Sequence, residues 1–306
     1  MTEVPLPALE GTNPLGYLAA LGILDALAAA RPAATLRWTD DLVPHAIVSG
    51  IPGVDELLDA LDKDRTEWTS SAMLRFPASK QPLPDAKPGG PQLRRWLQFV
   101  ADEGRRSDAD HLCAIVAENA YDNNAKAKPT HLHFTAGQQQ FLTMIRDLAA
   151  NVDRDRLGEA LQGPWRYDSP LPSLSWDSRG ERIYAVRATN PSKEKRLGVP
   201  GADWLAFRGL TFYPVTRTPS GALKTTACDT KWKNSAFRWP LWTVPATRNT
   251  IRSLVADPAL VAKDARVTRT ALIARGIGSV CQAKIRRSDQ GGYGSFSPAE
   301  TLASSQ

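Results

Sequence analysis

Basic and aromatic residues alternate within one stretch of the second half of the chain. Lys231-Trp232-Lys233 and Phe237-Arg238-Trp239 are followed closely by Arg248 and Arg252. Lysine and arginine supply charge to phosphates, and tryptophan offers a flat face on which an unpaired base can stack. Arg248 and Arg252 are four residues apart, so on a helix they share one face. The pattern predicts contact with a nucleic-acid backbone.

Two further basic groups extend this pattern. One lies before Gly198 and is typical of an exposed basic loop, and the other lies near the C-terminus. The complete set of predicted nucleic-acid contacts is Lys193, Lys195, Arg196, Lys231, Lys233, Arg238, Arg248, Arg252, Arg286 and Arg287. The alternative is an ordinary solvated basic surface. Trp239 and Trp242, which flank Pro240, are interpreted equally well as core residues, so the prediction depends on the charges.

The charge is unevenly distributed along the chain. Residues 1–160 contain 16 Lys and Arg against 22 Asp and Glu, a net of −6, whereas residues 161–306 contain 22 against 10, a net of +12. A half with this excess is expected to meet a negatively charged partner, most simply nucleic acid. The prediction requires that these charges form a continuous exposed track instead of being paired internally with carboxylates.

Residues that could hold a metal ion or act as a nucleophile do not form a known arrangement. His131 and His133 lie two apart on a predicted strand and would share one face, whereas His111 and Cys113 would diverge on a predicted helix. A zinc site needs three or four converging ligands. The chain has neither a Gly-x-Ser-x-Gly elbow nor a phosphate-binding P-loop. We therefore expect no metal, no cofactor and no catalytic residue.

The cysteine content and the apolar runs indicate the cellular compartment of the protein. Its three cysteines are far apart, which is typical of a reduced, intracellular protein. No apolar run approaches the roughly 20 residues that a membrane span needs. We expect a cytoplasmic protein that does not contact a membrane.

The secondary-structure pattern predicts an α+β fold. Asn13 followed by Pro14 predicts the start of a helix that extends to about residue 30, and its apolar surface on nearly all sides places it at the centre of the core. Further helices are predicted at 54–61, 92–102, 108–120, 138–150, 153–161, 202–207 and 247–255. Strands are predicted at 35–39, 46–48, 132–134, 210–215, 223–227 and 237–242. The tail from Ser295 is small and polar, and we expect it to be disordered.

These elements suggest a division of the chain. Residues 1–162 form a mainly helical region around the buried apolar helix, and residues 163–306 form a mixed, β-richer basic region. The two are either separate domains or one intertwined domain.

Four segments carry a resemblance to a known family. Residues 9–24 (LEGTNPLGYLAALGIL) resemble the opening of CRISPR-associated proteins of type I-G systems, formerly type I-U. Residues 134–142 (FTAGQQQFL), 204–210 (WLAFRGL) and 237–242 (FRWPLW) are similar to segments of the accessory and large-subunit-like members of that group, including the extension family of the helicase-nuclease. The segments extend from residue 9 to residue 242, so the resemblance covers most of the chain.

The resemblance implies a subunit or accessory protein of an RNA-guided, antiviral DNA-targeting complex. In such complexes base pairing reads the sequence while proteins hold the backbones, and a separate helicase-nuclease cleaves the target. Guide RNA or target DNA, together with other effector subunits, are then the expected partners. Two alternatives remain at this point: an adaptor whose basic half docks onto an acidic partner protein, and a metal-dependent nuclease.

Overall fold

The computed structural model describes residues 2–180, 197–287 and 293–305. Within these residues the helices are α1 (Pro14–Leu27), α2 (Val54–Trp68), α3 (Ala72–Arg75), α4 (Gly90–Glu103), α5 (Arg106–Ile115), α6 (Phe141–Asn151), α7 (Arg154–Gln162), α8 (Pro200–Gly209), α9 (Arg248–Ala256), α10 (Pro258–Val261) and α11 (Arg269–Ala274). The strands are β1 (Glu3–Glu10), β2 (Thr35–Trp38), β3 (His45–Ser49), β4 (Val116–Tyr121), β5 (Ala127–Pro129), β6 (Val215–Arg217), β7 (Leu223–Thr225), β8 (Ser235–Trp242), β9 (Ala246–Thr247), β10 (Ile277–Arg287), β11 (Gly294–Phe296) and β12 (Glu300–Ser304). This mixture of helices and antiparallel sheets confirms the predicted α+β fold.

Helix α1 is the central element, as its sequence predicts. The Asn13 side chain accepts a hydrogen bond from the Leu15 backbone N–H at 3.1 Å, and Pro14 occupies the first helical position. Every α1 residue except Ala26 is buried. A helix that is apolar on all sides gains stability only when other elements cover it completely.

Helix α8 covers α1 at very short range. All ten α8 residues are buried, and Gly22 of α1 faces Gly209 of α8. A β-carbon on Gly22 would overlap the Leu205 carbonyl oxygen, and one on Gly209 would overlap the Leu18 carbonyl oxygen. The two helices therefore pack backbone against backbone, which brings together two segments that are far apart in the chain.

The first sheet combines strands from both halves of the chain. Its order is β1-β3-β2-β9, and all its pairs are antiparallel. Strand β1, which the sequence analysis did not predict, is an edge strand containing Pro5 and Pro7. Proline lacks a backbone N–H and is tolerated at sheet edges. The fourth strand, β9, comes from the region beyond residue 163.

The second sheet is built around the long strand β10. It pairs with β8 on one side and with β11 and β12 on the other. Strands β11 and β12 lie in the tail that was expected to be disordered from Ser295, so that prediction is wrong. The small, polar side chains gave no strand signal, and the pairing with β10 supplies the backbone hydrogen bonds that order the tail.

Three other local predictions are also wrong. The strand predicted at 210–215 begins as a 3-10 helix, Leu210–Phe212, and strand β6 starts only at Val215. The helix predicted at 108–120 ends at Ile115, because the chain from Val116 pairs with β5. Residues 132–134 are irregular instead of a strand. There the carbonyl of Leu132 accepts from the Trp176 indole at 2.8 Å and that of Phe134 from Gly294 N–H at 3.0 Å. Tertiary partners thus replace the ladder that a strand would have made.

The main hydrophobic core draws on both halves of the chain. Leu18 and Trp38 belong to the same buried cluster as Leu205 and Trp242. The Tyr17 ring stacks on Trp38 at 5.7 Å between centroids and contacts Trp239 at 5.6 Å. Within the described residues no helix is both long enough and apolar enough to cross a bilayer.

Candidate nucleic-acid interface

The pairing of β8 with β10 brings several of the predicted contacts together. Ser235, the first residue of β8, lies opposite Ile285 of β10. The loop at residues 230–234 therefore lies beside Arg286 and Arg287 at the end of β10. Asn234 has a φ of 58°, a left-handed conformation that asparagine tolerates, and it turns the loop into β8. The sequence placed the 231–233 group and the Arg286–Arg287 group far apart in the chain, and the strand register brings their backbones close together.

Arg287 is partly buried beneath this loop. Its guanidinium carbon lies 3.6 Å from the centroid of the Trp232 ring and 5.6 Å from that of Phe134. Its nitrogens donate to the carbonyl oxygens of His131 at 2.8 Å and His133 at 3.1 Å. Burial lowers the pKa of Arg287 to about 10, which still leaves it charged at neutral pH. Arg287 thus anchors Trp232, and its contact with phosphate stays a prediction.

Exposed basic residues adjoin this anchored tryptophan along the backbone. Trp232 is 38% exposed, and Lys231, Lys233 and Arg286 are all exposed. We call these four residues the Trp232 surface. It combines cations that can pair with phosphates and an aromatic ring that can contact a base.

His131 supports the loop from inside. Its ring lies 5.6 Å from that of Trp232, and its Nδ1 lies 2.9 Å from the Thr225 hydroxyl. Burial, assisted by the nearby Arg287, lowers the pKa of His131 to about 4, so the ring is neutral at pH 7. His133 is separately engaged, with its Nε2 at 2.8 Å from Asp85 Oδ1. Within the described residues no three His, Cys, Asp or Glu side chains converge as metal ligands would.

Arg238 does not reach the exposed surface. It is 3% exposed, and its Nη1 donates to Asp229 Oδ1 at 2.9 Å. The neighbouring Trp239 and Trp242 are fully buried core residues, as one interpretation of the sequence had it. The predicted exposure of Arg238 is therefore wrong, because β8 is buried along its whole length and the arginine needs a local carboxylate to be accommodated there.

Arg248 and Arg252 share one face of α9, as predicted, but that face points towards carboxylates of the first half. Arg248 Nη2 lies 2.6 Å from Asp25 Oδ1 and 3.3 Å from Asp110 Oδ2. Arg252 Nη2 lies 3.1 Å from the same Asp110 oxygen. These ion pairs contradict the expected continuous positive track at this point. The excess of the basic half is here neutralised by the acidic half.

The ion pairs belong to a larger network that sequence reasoning missed. Arg208, 2% exposed, lies 3.0 Å from Asp25 and 3.0 Å from Asp64. Its Nη1 is 3.2 Å from His111 Nε2, and burial together with Arg208 lowers the pKa of His111 to about 4. A neutral His111 can accept from Arg208 while Nδ1–H donates to the Ser107 carbonyl at 2.8 Å. One signal was visible: Asp25 is an acidic residue inside an otherwise apolar helix, which requires a buried partner.

Comparison with known proteins adds no relative. No protein-family model matches the chain, and no curated protein matches its sequence. The resemblance to type I-G CRISPR-associated proteins thus depends on the four segments alone.

The remaining predicted contacts have different outcomes. Lys193, Lys195 and Arg196 lie outside the described residues. Lys231, Lys233 and Arg286 lie together on the Trp232 surface, and their role in binding stays a prediction. Cys113 is exposed and His111 is buried, so these two residues diverge on α5 as expected.

Proposed function

We propose that this protein is a non-catalytic nucleic-acid-binding subunit or accessory protein of an RNA-guided, type I-G CRISPR complex. Two independent features support the proposal. One is the resemblance carried by the four segments. The other is the Trp232 surface, where predicted contacts from residues 231–233 and from the end of β10 become neighbours.

The β8–β10 register brings the backbone of residues 231–233 close to Arg286, and this is the observation that carries the proposal. The three cations, Lys231, Lys233 and Arg286, are exposed, and each can neutralise a phosphate of a strand that crosses this part of the protein. Each neutralised phosphate releases condensed counterions, so binding must weaken as salt rises. Backbone contacts of this kind carry no sequence information, which suits a protein in a complex where base pairing reads the target.

Three of the four segments that carry the resemblance also pack against one another. Residues 9–24 contribute α1, which meets the 204–210 segment through Gly22 and Gly209. The Trp239 indole of the 237–242 segment donates to the Gly11 carbonyl at 2.9 Å. Their joint occurrence therefore has a physical basis in one shared core.

Salt-dependent binding tests the proposal. The purified protein is titrated with labelled single- and double-stranded DNA and RNA over a range of salt concentrations. The triple variant K231A/K233A/R286A should bind more weakly, and its salt slope should flatten by about one for each lost phosphate contact. A matched control is K80A/R94A/R95A, which removes three exposed cations from the first half and should leave the slope unchanged.

Three results would contradict the proposal. Binding by the wild-type protein that does not change with salt excludes a phosphate-driven interface. Absence of binding, combined with stable co-purification with an acidic effector subunit, favours the adaptor alternative. Cleavage of the probes in the presence of Mg²⁺ or Mn²⁺, abolished by an acidic-residue substitution, would contradict the non-catalytic assignment.

A further inference from the structure

Trp232 is part of a stack of side chains that phosphate binding alone would not need. Phe134 is buried, the Arg287 guanidinium lies over its ring at 5.6 Å, and Trp232 lies on the same guanidinium at 3.6 Å. The guanidinium is held in place by the two carbonyls of His131 and His133. Protein groups thus occupy one face of the indole.

The Arg287 guanidinium lies 3.6 Å and the His131 ring 5.6 Å from the indole, and the exposed part of Trp232 is the part that these two groups leave uncovered. Phe134, Arg287 and Trp232 are stacked in this order, and Trp232, at the outer end, is 38% exposed. A further flat group could stack there. Elsewhere in the described residues, large rings such as Trp38, Trp96, Trp204 and Trp242 are fully buried. A large apolar ring that stays exposed between Lys231 and Lys233 contributes little to the core.

We propose that Trp232 is a stacking platform for one unpaired base, so that the Trp232 surface selects single-stranded over double-stranded nucleic acid. This inference rests on the proposed nucleic-acid binding and specifies its ligand. In a duplex both faces of each base are covered by neighbouring pairs, whereas an unpaired base offers a face to an aromatic ring. Lys231 and Lys233, which flank Trp232 in the loop, then contact the phosphates next to the stacked base.

Arg287 prepares the ring for this role. Because the guanidinium already fixes the indole plane, little side-chain freedom is lost when a base stacks on it. Stacking tolerates any base because every base has a π-face, so no sequence preference is expected from this position.

The decisive experiment separates the base from its phosphate. Wild-type protein and Trp232 variants are titrated with short single strands of deoxythymidylate and of uridylate, with a duplex of equal length, and with a deoxythymidylate strand that contains abasic positions. Abasic positions keep the charge and remove the stacking face. We expect the wild-type protein to bind the intact single strand about five-fold to one hundred-fold more tightly than the abasic strand.

Variants identify the ring as the cause. Trp232→Phe should retain most of this preference, whereas Trp232→Leu, which is apolar but cannot stack, should lose it and bind intact and abasic strands equally. Leu42→Ala removes another exposed apolar side chain, in the loop between β2 and β3, and should change nothing. Thermal unfolding of each variant checks that the fold is intact.

The outcomes distinguish the two proposals. If Trp232→Leu binds like the wild type, or the wild type binds the abasic strand or the duplex as tightly as the intact strand, the stacking inference is overturned. In that case, salt-dependent binding that K231A/K233A/R286A weakens would leave the proposed function standing. If the wild-type protein binds none of the probes, both proposals are overturned.

Discussion

Arg208 lies 3.0 Å from Asp25, across 183 positions of sequence, and both side chains are almost completely buried. This pair is the centre of the network through which the basic second half meets the acidic first half. Although burial opposes it, Arg208 and Arg248 together hold the pKa of Asp25 below its ordinary value. Part of the positive charge of the second half is therefore paired with carboxylates of the first half inside the protein and is not presented to a partner.

Arg248 should act in stability and not in phosphate binding. Arg248→Ala removes one partner of the buried Asp25 carboxylate, and we expect a loss of about 1–3 kcal/mol in the free energy of unfolding, less than for a fully buried pair. Urea denaturation measures this loss, and salt titration of nucleic-acid binding should show the wild-type slope. An unchanged stability with a flattened slope would instead place Arg248 on a phosphate.

The contact between Gly22 and Gly209 should tolerate no larger residue. Gly22→Ala adds a methyl group that overlaps the Leu205 carbonyl, a backbone atom that cannot rotate away. We expect destabilisation by about 1–3 kcal/mol, despite the better helix propensity of alanine. Gly89→Ala is the control, since no atom lies within 4 Å of the added carbon. Thermal unfolding in which both variants match the wild type would show that α1 and α8 are further apart than the structure has them.

Asp203 should make stability fall as pH rises. Burial raises the pKa of Asp203 to about 8, so the folded protein holds a proton that the unfolded chain, with a pKa of about 3.9, releases. The stability from this group is complete below about pH 4 and is lost as pH rises towards 8. Asp203→Asn should therefore gain relative to wild type by about 1.4 kcal/mol per pH unit over this range.

Denaturant unfolding of wild type and Asp203→Asn at several pH values tests this expectation. Asp41→Asn, at an exposed position, is the control and should follow the wild-type profile. A constant difference between Asp203→Asn and the wild type at all pH values would show that Asp203 ionises normally in the folded protein.

The three cysteines should differ in reactivity. Cys113 is exposed, whereas Cys228 and Cys281 are buried. A thiol reagent should modify one cysteine in the native protein and all three after unfolding. Burial, reinforced by the Asp110 carboxylate, raises the pKa of Cys113, so its modification should be slower than that of a free cysteine at neutral pH. Cys113→Ser should abolish the native reaction; two reactive thiols in that variant would show that the core opens.

Local signals predicted a large part of the fold. The Asn13-Pro14 pair marks the start of α1, and Thr247 likewise caps α9, its side chain accepting from the Thr250 N–H. The alternation in residues 35–39 and the apolar residues at 46–48 predicted two strands of the first sheet, β2 and β3. Strand β12 could not be found in this way, because its stability comes from pairing with β10 and not from its own side chains.

The sequence predicted the residue types of the candidate interface, but not which of the predicted residues belong to it. Lys231, Lys233 and Arg286 were found from charge alone, since lysine and arginine are rarely buried. Arg238, Arg248 and Arg252 looked the same in sequence, yet each is paired with a carboxylate. The partner of Arg238 is Asp229, on the neighbouring segment. The partners of Arg248 and Arg252, Asp25 and Asp110, lie more than a hundred residues away in sequence.

The sequence by itself determined the central helix, the α+β composition and the excess of positive charge in the second half, because these depend on local propensity and on counting. Tertiary structure alone decided which arginines are neutralised, that Arg287 lies under Trp232, and that residues 231–233 adjoin the end of β10. Those relationships depend on strand register and on helix crossing, which join residues with no local signal for one another.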